Sequence, residues 1–290
     1  MERQCSGLSA RKPRLAPNPA FATTTSMPPN AWTAASASAR TWSHSVTSQG
    51  TARARSGPPS SAADRVVLVT GASSGIGEAI ARGAAAAGHR VVLAARSADR
   101  IAAGAAELGG PGRALAVPCD VTEWDQVQAL ADAAVDAFGG IDVVVANAGF
   151  GAKRGFQAES PEHWRAMVLT NVYGAAITVR ATFDQLRERR GHLFLMGSVA
   201  GRKVPPGSVY GATKWAVTAM ADAARMELHG SGVRVTLVSP GTVETPFYDE
   251  PVGGEQLTAD DVARAVLFAM DQPPHVDVNE IMIRPTVQEF

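Results

Sequence analysis

The sequence predicts an α/β domain: a seven-stranded, doubly wound parallel sheet between two layers of helices. Three observations predict it. Short branched apolar runs alternate with longer segments of helical composition from residue 64 onward. A glycine-rich turn, Thr70-Gly71-Ala72-Ser73-Ser74-Gly75-Ile76-Gly77, joins the first apolar run to the first helical segment. Polar or glycine-bearing turns follow the later runs in the same way. Buried parallel strands are continuously apolar, and the right-handed crossovers between them need a helix, so strict alternation leads to this sheet. Ligands of such sheets bind outside the carboxyl ends of the strands.

Taken in order, 65–70 is a strand because Val66 to Val69 are all branched and apolar, and the alanine-rich 75–87 is the helix after the glycine turn. Strands follow at 90–95, 113–118, 141–146, 192–197, 233–239 and 280–284. Helices are expected at 98–108, 123–138, 161–189, 208–229 and 259–271. Pro273-Pro274 and Pro285 flank the last strand, which suits an edge position because proline cannot donate to a ladder. No internal repeat and no second domain are visible.

With 46% apolar and 19% charged residues, the 290-residue chain has the composition of one soluble domain with a large core and an appendage. No apolar run reaches the roughly 18 residues of a membrane helix, so no membrane partner is expected. The formal charge of zero hides an asymmetry. Residues 1–63 hold seven of the 27 basic residues and a single acid, Glu2, which leaves the body net acidic and argues against a nucleic-acid partner. Two cysteines, Cys5 and Cys119, make no disulfide framework; this fits a reducing compartment, and a cytoplasmic location is expected. Residues 1–63, rich in Ser, Ala, Thr, Pro and Arg, are expected to be a disordered tail. Their acid-poor composition also suits an organelle transit peptide or an overlong start to a reading frame, and the domain proper is 64–290.

The glycine turn has the geometry of a phosphate cradle. Gly71, Gly75 and Gly77 permit positive φ and close backbone approach, while the N–H groups of Ser73, Ser74 and Ile76 and the helix N-terminus favour an anion. Where a carboxylate at the end of the second strand would accept a ribose 2′-hydroxyl, this chain has Ala95 followed by Arg96. An arginine fork there suits a 2′-phosphate, so NADP is expected in preference to NAD; the alternative is a solvated loop arginine. Asp120 and Val121 close the third strand, where they either contact an adenine or, for Asp120, cap the next helix. Asn147-Ala148-Gly149 closes the fourth, with Asn147 pinning neighbouring main chain or marking a turn, and Gly149 admitting a cofactor.

Tyr210 and Lys214 stand four residues apart in a helical segment and so share a face. A cation one turn away favours the phenolate of a tyrosine whose ordinary pKa is about 10. Ser198, at the end of the fifth strand, offers a hydroxyl to a substrate oxygen. Asn171 lies inside the long 161–189 helix, where it marks either a kink with a bound water or a satisfied buried amide.

The glycine turn, Asn147-Ala148-Gly149, Asn171, Ser198, Tyr210-Gly211-Ala212-Thr213-Lys214 and Pro240-Gly241 resemble, in order and spacing, the single-domain short-chain dehydrogenase/reductase family over about residues 65–285. The resemblance implies a dinucleotide-binding Rossmann fold and a tetrad. Tyr210 is then the general acid and base, Lys214 lowers its pKa and holds the nicotinamide ribose, Ser198 polarises the carbonyl, and Asn171 anchors a relay water. It further implies that 239–245 wraps the nicotinamide end, with Pro240, Gly241, Val243 and Thr245 at the cofactor. A small carbonyl or alcohol substrate is expected, no metal, and a homodimer or homotetramer.

Pro246 to Leu257 is expected to be a mobile substrate lid, with 151–157 and 199–208 as the other walls. Lys153, Arg154, Arg202 and Lys203 in those walls would favour an anionic substrate such as a 3-oxo or 3-hydroxy acid. The sequence from Val278 to Thr286 resembles the tail of short hydroxy-acid and amino-alcohol dehydrogenases, which makes an oxidative dehydrogenase one alternative. A non-catalytic NADP(H)-sensing protein is another.

Overall fold

The computed structural model describes residues 64–247 and 254–289. The expectations for residues 1–63, and for half of the lid (248–253), lie outside the described residues. Nine strands and seven α-helices follow one another among those described. They are β1 (Val66–Thr70), α1 (Gly75–Ala86), β2 (Arg90–Ala95), α2 (Ala98–Glu107), β3 (Ala114–Pro118), α3 (Trp124–Phe138) and β4 (Val143–Ala146). Then come α4 (Pro161–Val168), α5 (Ala175–Arg189), β5 (His192–Met196), α6 (Val209–Glu227), β6 (Arg234–Pro240), β7 (Val243–Glu244), β8 (Leu257–Thr258), α7 (Ala259–Met270) and β9 (Glu280–Ile283).

Seven strands form one parallel sheet in the order β3-β2-β1-β4-β5-β6-β9. The order reverses between β1 and β4, which places a crevice at their carboxyl ends. The proline-flanked β9 lies at the edge, as expected. Side chains alternate across β1: Val66 and Leu68 enter one core with α3, α5 and α6, while Val67 and Val69 enter the other with α1, α2 and α7. Both cores are apolar, and each buried aliphatic side chain stabilises the sheet by about 1.5–3 kcal/mol.

The structure departs from the expected elements in two places. The expected 161–189 helix is two α-helices joined by a π-helical turn, Leu169–Gly174. Val243–Glu244 and Leu257–Thr258 form a separate two-residue parallel pair that ties the segment after β6 to the start of α7. Local capping fixes the helix starts near the cleft. Ser160 Oγ accepts from His163 N, Ser208 Oγ accepts from Gly211 N, and Thr258 and Asp261 form a reciprocal capping box. At the opposite end of the sheet Arg65 and Arg234 both donate to the Met270 carbonyl at the end of α7.

Candidate active site

An open cleft of about 1610 Å³ runs along the carboxyl ends of the strands from β1 to β6. At its centre is the glycine turn, in which Gly71 (φ 68°) and Gly75 (φ 58°) take left-handed conformations. Ser74 caps α1 by position but makes no side-chain cap bond, so the first N–H groups of the helix remain for an anion. A Cβ at Gly75 would lie 3.2 Å from Thr245 Cβ, so the segment after β6 rests against the glycine turn. Gly77 faces inward instead of lining the cleft. A Cβ there would overlap the Gly71 carbonyl and approach Asn147 Nδ2 to 2.6 Å. Gly77→Ala is therefore expected to lower the thermal midpoint, at a cost of about 1–3 kcal/mol from overpacking; thermal unfolding checks this.

Asn147 pins the turn, one of its two expected roles. Its Nδ2 donates to Thr70 O at 2.9 Å, and the main-chain N–H groups of Asn147 and Ala148 both donate to Thr70 Oγ1 at 3.1 Å. Thr70, whose hydroxyl knots β1 to β4, was not singled out from the sequence. Its signals were its place as the last residue of a branched apolar run and as the first of the glycine turn. Gly149 is hemmed in by Asn171 and Lys214: a Cβ would sit 2.9 Å from Asn171 Oδ1.

Arg96 is exposed at the rim beside β2 and borders the cleft; its carbonyl accepts from Ala98 N, and its side chain makes no hydrogen bond or ion pair among the described residues. Asp120 and Val121 border it as well. Asp120 Oδ1 accepts from Thr122 N at 2.9 Å and Thr122 Oγ1 at 2.8 Å, which makes it a turn-former just before α3, whose N-cap is Glu123. Val121 packs against Gly174 at the end of the π turn.

Ser198, Tyr210 and Lys214 converge at the other end of the cleft. Ser198 follows β5 in extended conformation, and its Oγ accepts from Ala200 N at 3.1 Å. Lys214 points inward from α6 and is buried; its Nζ donates to Met196 O at 2.8 Å and lies 5.6 Å from the centroid of the Tyr210 ring. Burial lowers the Lys214 pKa from 10.5 to about 8. Tyr210 is half-buried, with the Phe247 ring edge-on at 5.6 Å.

Asn171 does not reach the cleft. Its amide is satisfied: Oδ1 accepts from Phe150 N at 3.0 Å, and Nδ2 donates to Phe150 O at 2.9 Å and Thr213 Oγ1 at 3.1 Å. Thr213 Oγ1 in turn donates to Tyr210 O at 2.7 Å. Of its two expected roles, the satisfied amide describes the side chain, and the kink is present as the π turn. Thr213 was missed in the sequence, although it sits between the two residues of the Tyr-Lys pair.

Pro240, Gly241, Thr242, Val243 and Thr245 all border the cleft. Lys153, Arg154 and Lys203 border it too, but Arg202 does not. Arg202 pairs bidentately with Glu280, Nε to Oε1 at 2.9 Å and Nη2 to Oε2 at 2.6 Å, a partner 78 residues away. The two expected walls are joined by Gly155 N donating to Gly207 O at 3.0 Å. Among the described residues no helix is long and apolar enough to cross a membrane.

The short chain dehydrogenase family model matches residues 65–253. An uncharacterized oxidoreductase of Staphylococcus epidermidis is 38% identical over 226 residues, covering 77% of this chain and 97% of the relative. Among solved structures, a serine dehydrogenase in complex with NADP+ superposes with a TM-score of 0.72 at 32% identity, covering 78% of this chain and 96% of that one. A 3-ketoacyl-(acyl-carrier-protein) reductase from Brucella melitensis in complex with NADH superposes with a TM-score of 0.70 at 29% identity, covering 77% and 98%.

Proposed function

The chain belongs to the short-chain dehydrogenase family and is an NAD(P)-dependent oxidoreductase; on that premise we propose that it uses NADP to interconvert a carbonyl and a secondary alcohol, with Tyr210 as general acid and base. The observation that carries this reading is the convergence of Ser198, Tyr210 and buried Lys214 at one end of a cleft whose middle is an uncapped, glycine-lined helix N-terminus. That N-terminus and the side-chain-free surface of Gly71 and Gly75 fit a pyrophosphate. When bound, NADPH supplies a hydride for the carbonyl carbon.

The residues of this chain do the rest. Ser198 orients the substrate oxygen, and Tyr210 donates its phenolic proton to that oxygen in reduction and removes it in oxidation. Lys214 supplies the charge that favours the phenolate, and its bond to Met196 O fixes where that charge sits. Asn171, fastened to Phe150 and through Thr213 to the Tyr210 carbonyl, holds α6 in register with β4. The relay water that the family resemblance assigns to Asn171 would be held at the π turn around it.

The preference for NADP rests on Arg96, whose guanidinium has no competing partner among the described residues, and on the absence of a carboxylate after Ala95. Arg96→Ser is expected to weaken NADPH binding about 10- to 100-fold, the worth of a charged hydrogen bond, and to leave NADH binding unchanged. Parallel fluorescence titrations check this, and equal losses for both cofactors would contradict it. A hydroxy-acid dehydrogenase acting in the oxidative direction is a second reading, favoured by the similarity to a serine dehydrogenase and by Lys153, Arg154 and Lys203 at the cleft. A homodimer or homotetramer and a cytoplasmic location complete the proposal. Exposed Val168, Leu169, Tyr173 and Trp215 on α4 to α6 support two-fold association.

A further inference from the structure

Beyond β9 the chain turns back on itself. Gln288 N donates to Pro285 O at 3.1 Å, and Arg284 Nη1 donates to Gln288 O at 3.3 Å. The turn lays the Gln288 side chain on the loop that leaves β6: Thr242 N donates to Gln288 Oε1 at 2.9 Å. Gly241 is what admits it, since a Cβ there would overlap that same oxygen. Gln288 is half-buried and borders the cleft together with Glu289.

Each main-chain donor at the head of this loop therefore has a defined fate. Pro240 has none, Gly241 N donates to Ile283 O at 2.7 Å, and Thr242 N goes to Gln288. Past Thr242 the chain pairs with β8. The Thr242 tie is the one made by a side chain, and it restrains a loop that a glycine would otherwise leave free.

We infer that Gln288 is a positioning residue: through the Thr242 main chain it fixes the 240–245 segment that closes the nicotinamide end of the cofactor. The inference rests on the cofactor reading above. Its test uses the full chain, comparing wild type with Gln288→Leu, which removes the acceptor at similar volume, and Gln288→Glu, which keeps it. Three readouts are taken: hydrogen exchange of the Thr242 amide without cofactor, binding of NADPH, and binding of adenosine 2′,5′-bisphosphate, which carries only the adenosine end. In Gln288→Leu, exchange at Thr242 is expected to speed up and NADPH binding to weaken, each about tenfold for one lost hydrogen bond. Bisphosphate binding stays at the wild-type value, and Gln288→Glu restores both losses.

Faster exchange with unchanged NADPH binding would overturn the assignment and leave the tail a structural element. Equal weakening of both ligands would overturn it in favour of general loosening. A wild-type protein that binds neither ligand would overturn the cofactor reading and this assignment with it.

Discussion

Replacing Tyr210 by phenylalanine is expected to cut turnover about 10²- to 10⁴-fold, the range for a removed general acid or base. Binding of NADPH should survive. The hydroxyl is the only atom lost, the ring keeps its packing against Phe247, and neither Asn171 nor Thr213 uses the phenol: Thr213 bonds the Tyr210 main chain. The check is kcat with any carbonyl the wild type reduces, measured beside NADPH affinity. Loss of rate with affinity intact assigns Tyr210 to the chemical step. Loss of both would mean that the hydroxyl also holds the cofactor.

The second large effect concerns Lys214. Lys214→Met removes the charge beside the phenol and should lower kcat/KM at least about 10²-fold. It also has a pH-dependent effect on stability whose sign follows from burial. The folded pKa of Lys214 is about 8 and its ordinary value 10.5. Between those values the unfolded chain binds more protons, so wild-type stability from this group rises with pH. The penalty for burying the ammonium is complete below about pH 8 and gone above the ordinary value, a span on the order of 3 kcal/mol. The bond to Met196 O offsets part of the penalty at low pH. The expected result is that wild type gains stability relative to Lys214→Met as pH rises from 8 to 10.5 in cofactor-free protein. Urea unfolding of both proteins across that range measures it, and a constant difference would contradict it.

Much of the site was legible because its parts lie in short spans with strong local rules. The glycine turn announces itself through residues that alone tolerate its left-handed positions, and Tyr210 and Lys214 meet because helical spacing puts them on one face. The strands were legible as branched apolar runs, and the edge position of β9 from its prolines. What stayed hidden depends on partners far away in sequence. Arg202 looked like a pocket cation until the fold brought Glu280 to it. At the π turn Asn171 bonds to Phe150 and Thr213, 21 and 42 residues distant, partners that helical propensity does not encode. β7 and β8 are two residues each, too short to carry a period. Gln288 belongs to a tail with no pattern, and its role came into view only when its oxygen was seen against Gly241 and Thr242.

The most direct test of the central claim is a titration of purified protein with NADPH and with NADH, followed by oxidation of the bound NADPH against a panel of ketones, 3-oxo acids and serine-like hydroxy acids run in reverse. The account predicts tighter binding of NADPH than NADH and carbonyl-dependent loss of the reduced cofactor's absorbance in wild type but not in Tyr210→Phe. NADPH that binds and is never oxidised across the panel, or is oxidised equally by both proteins, would contradict it.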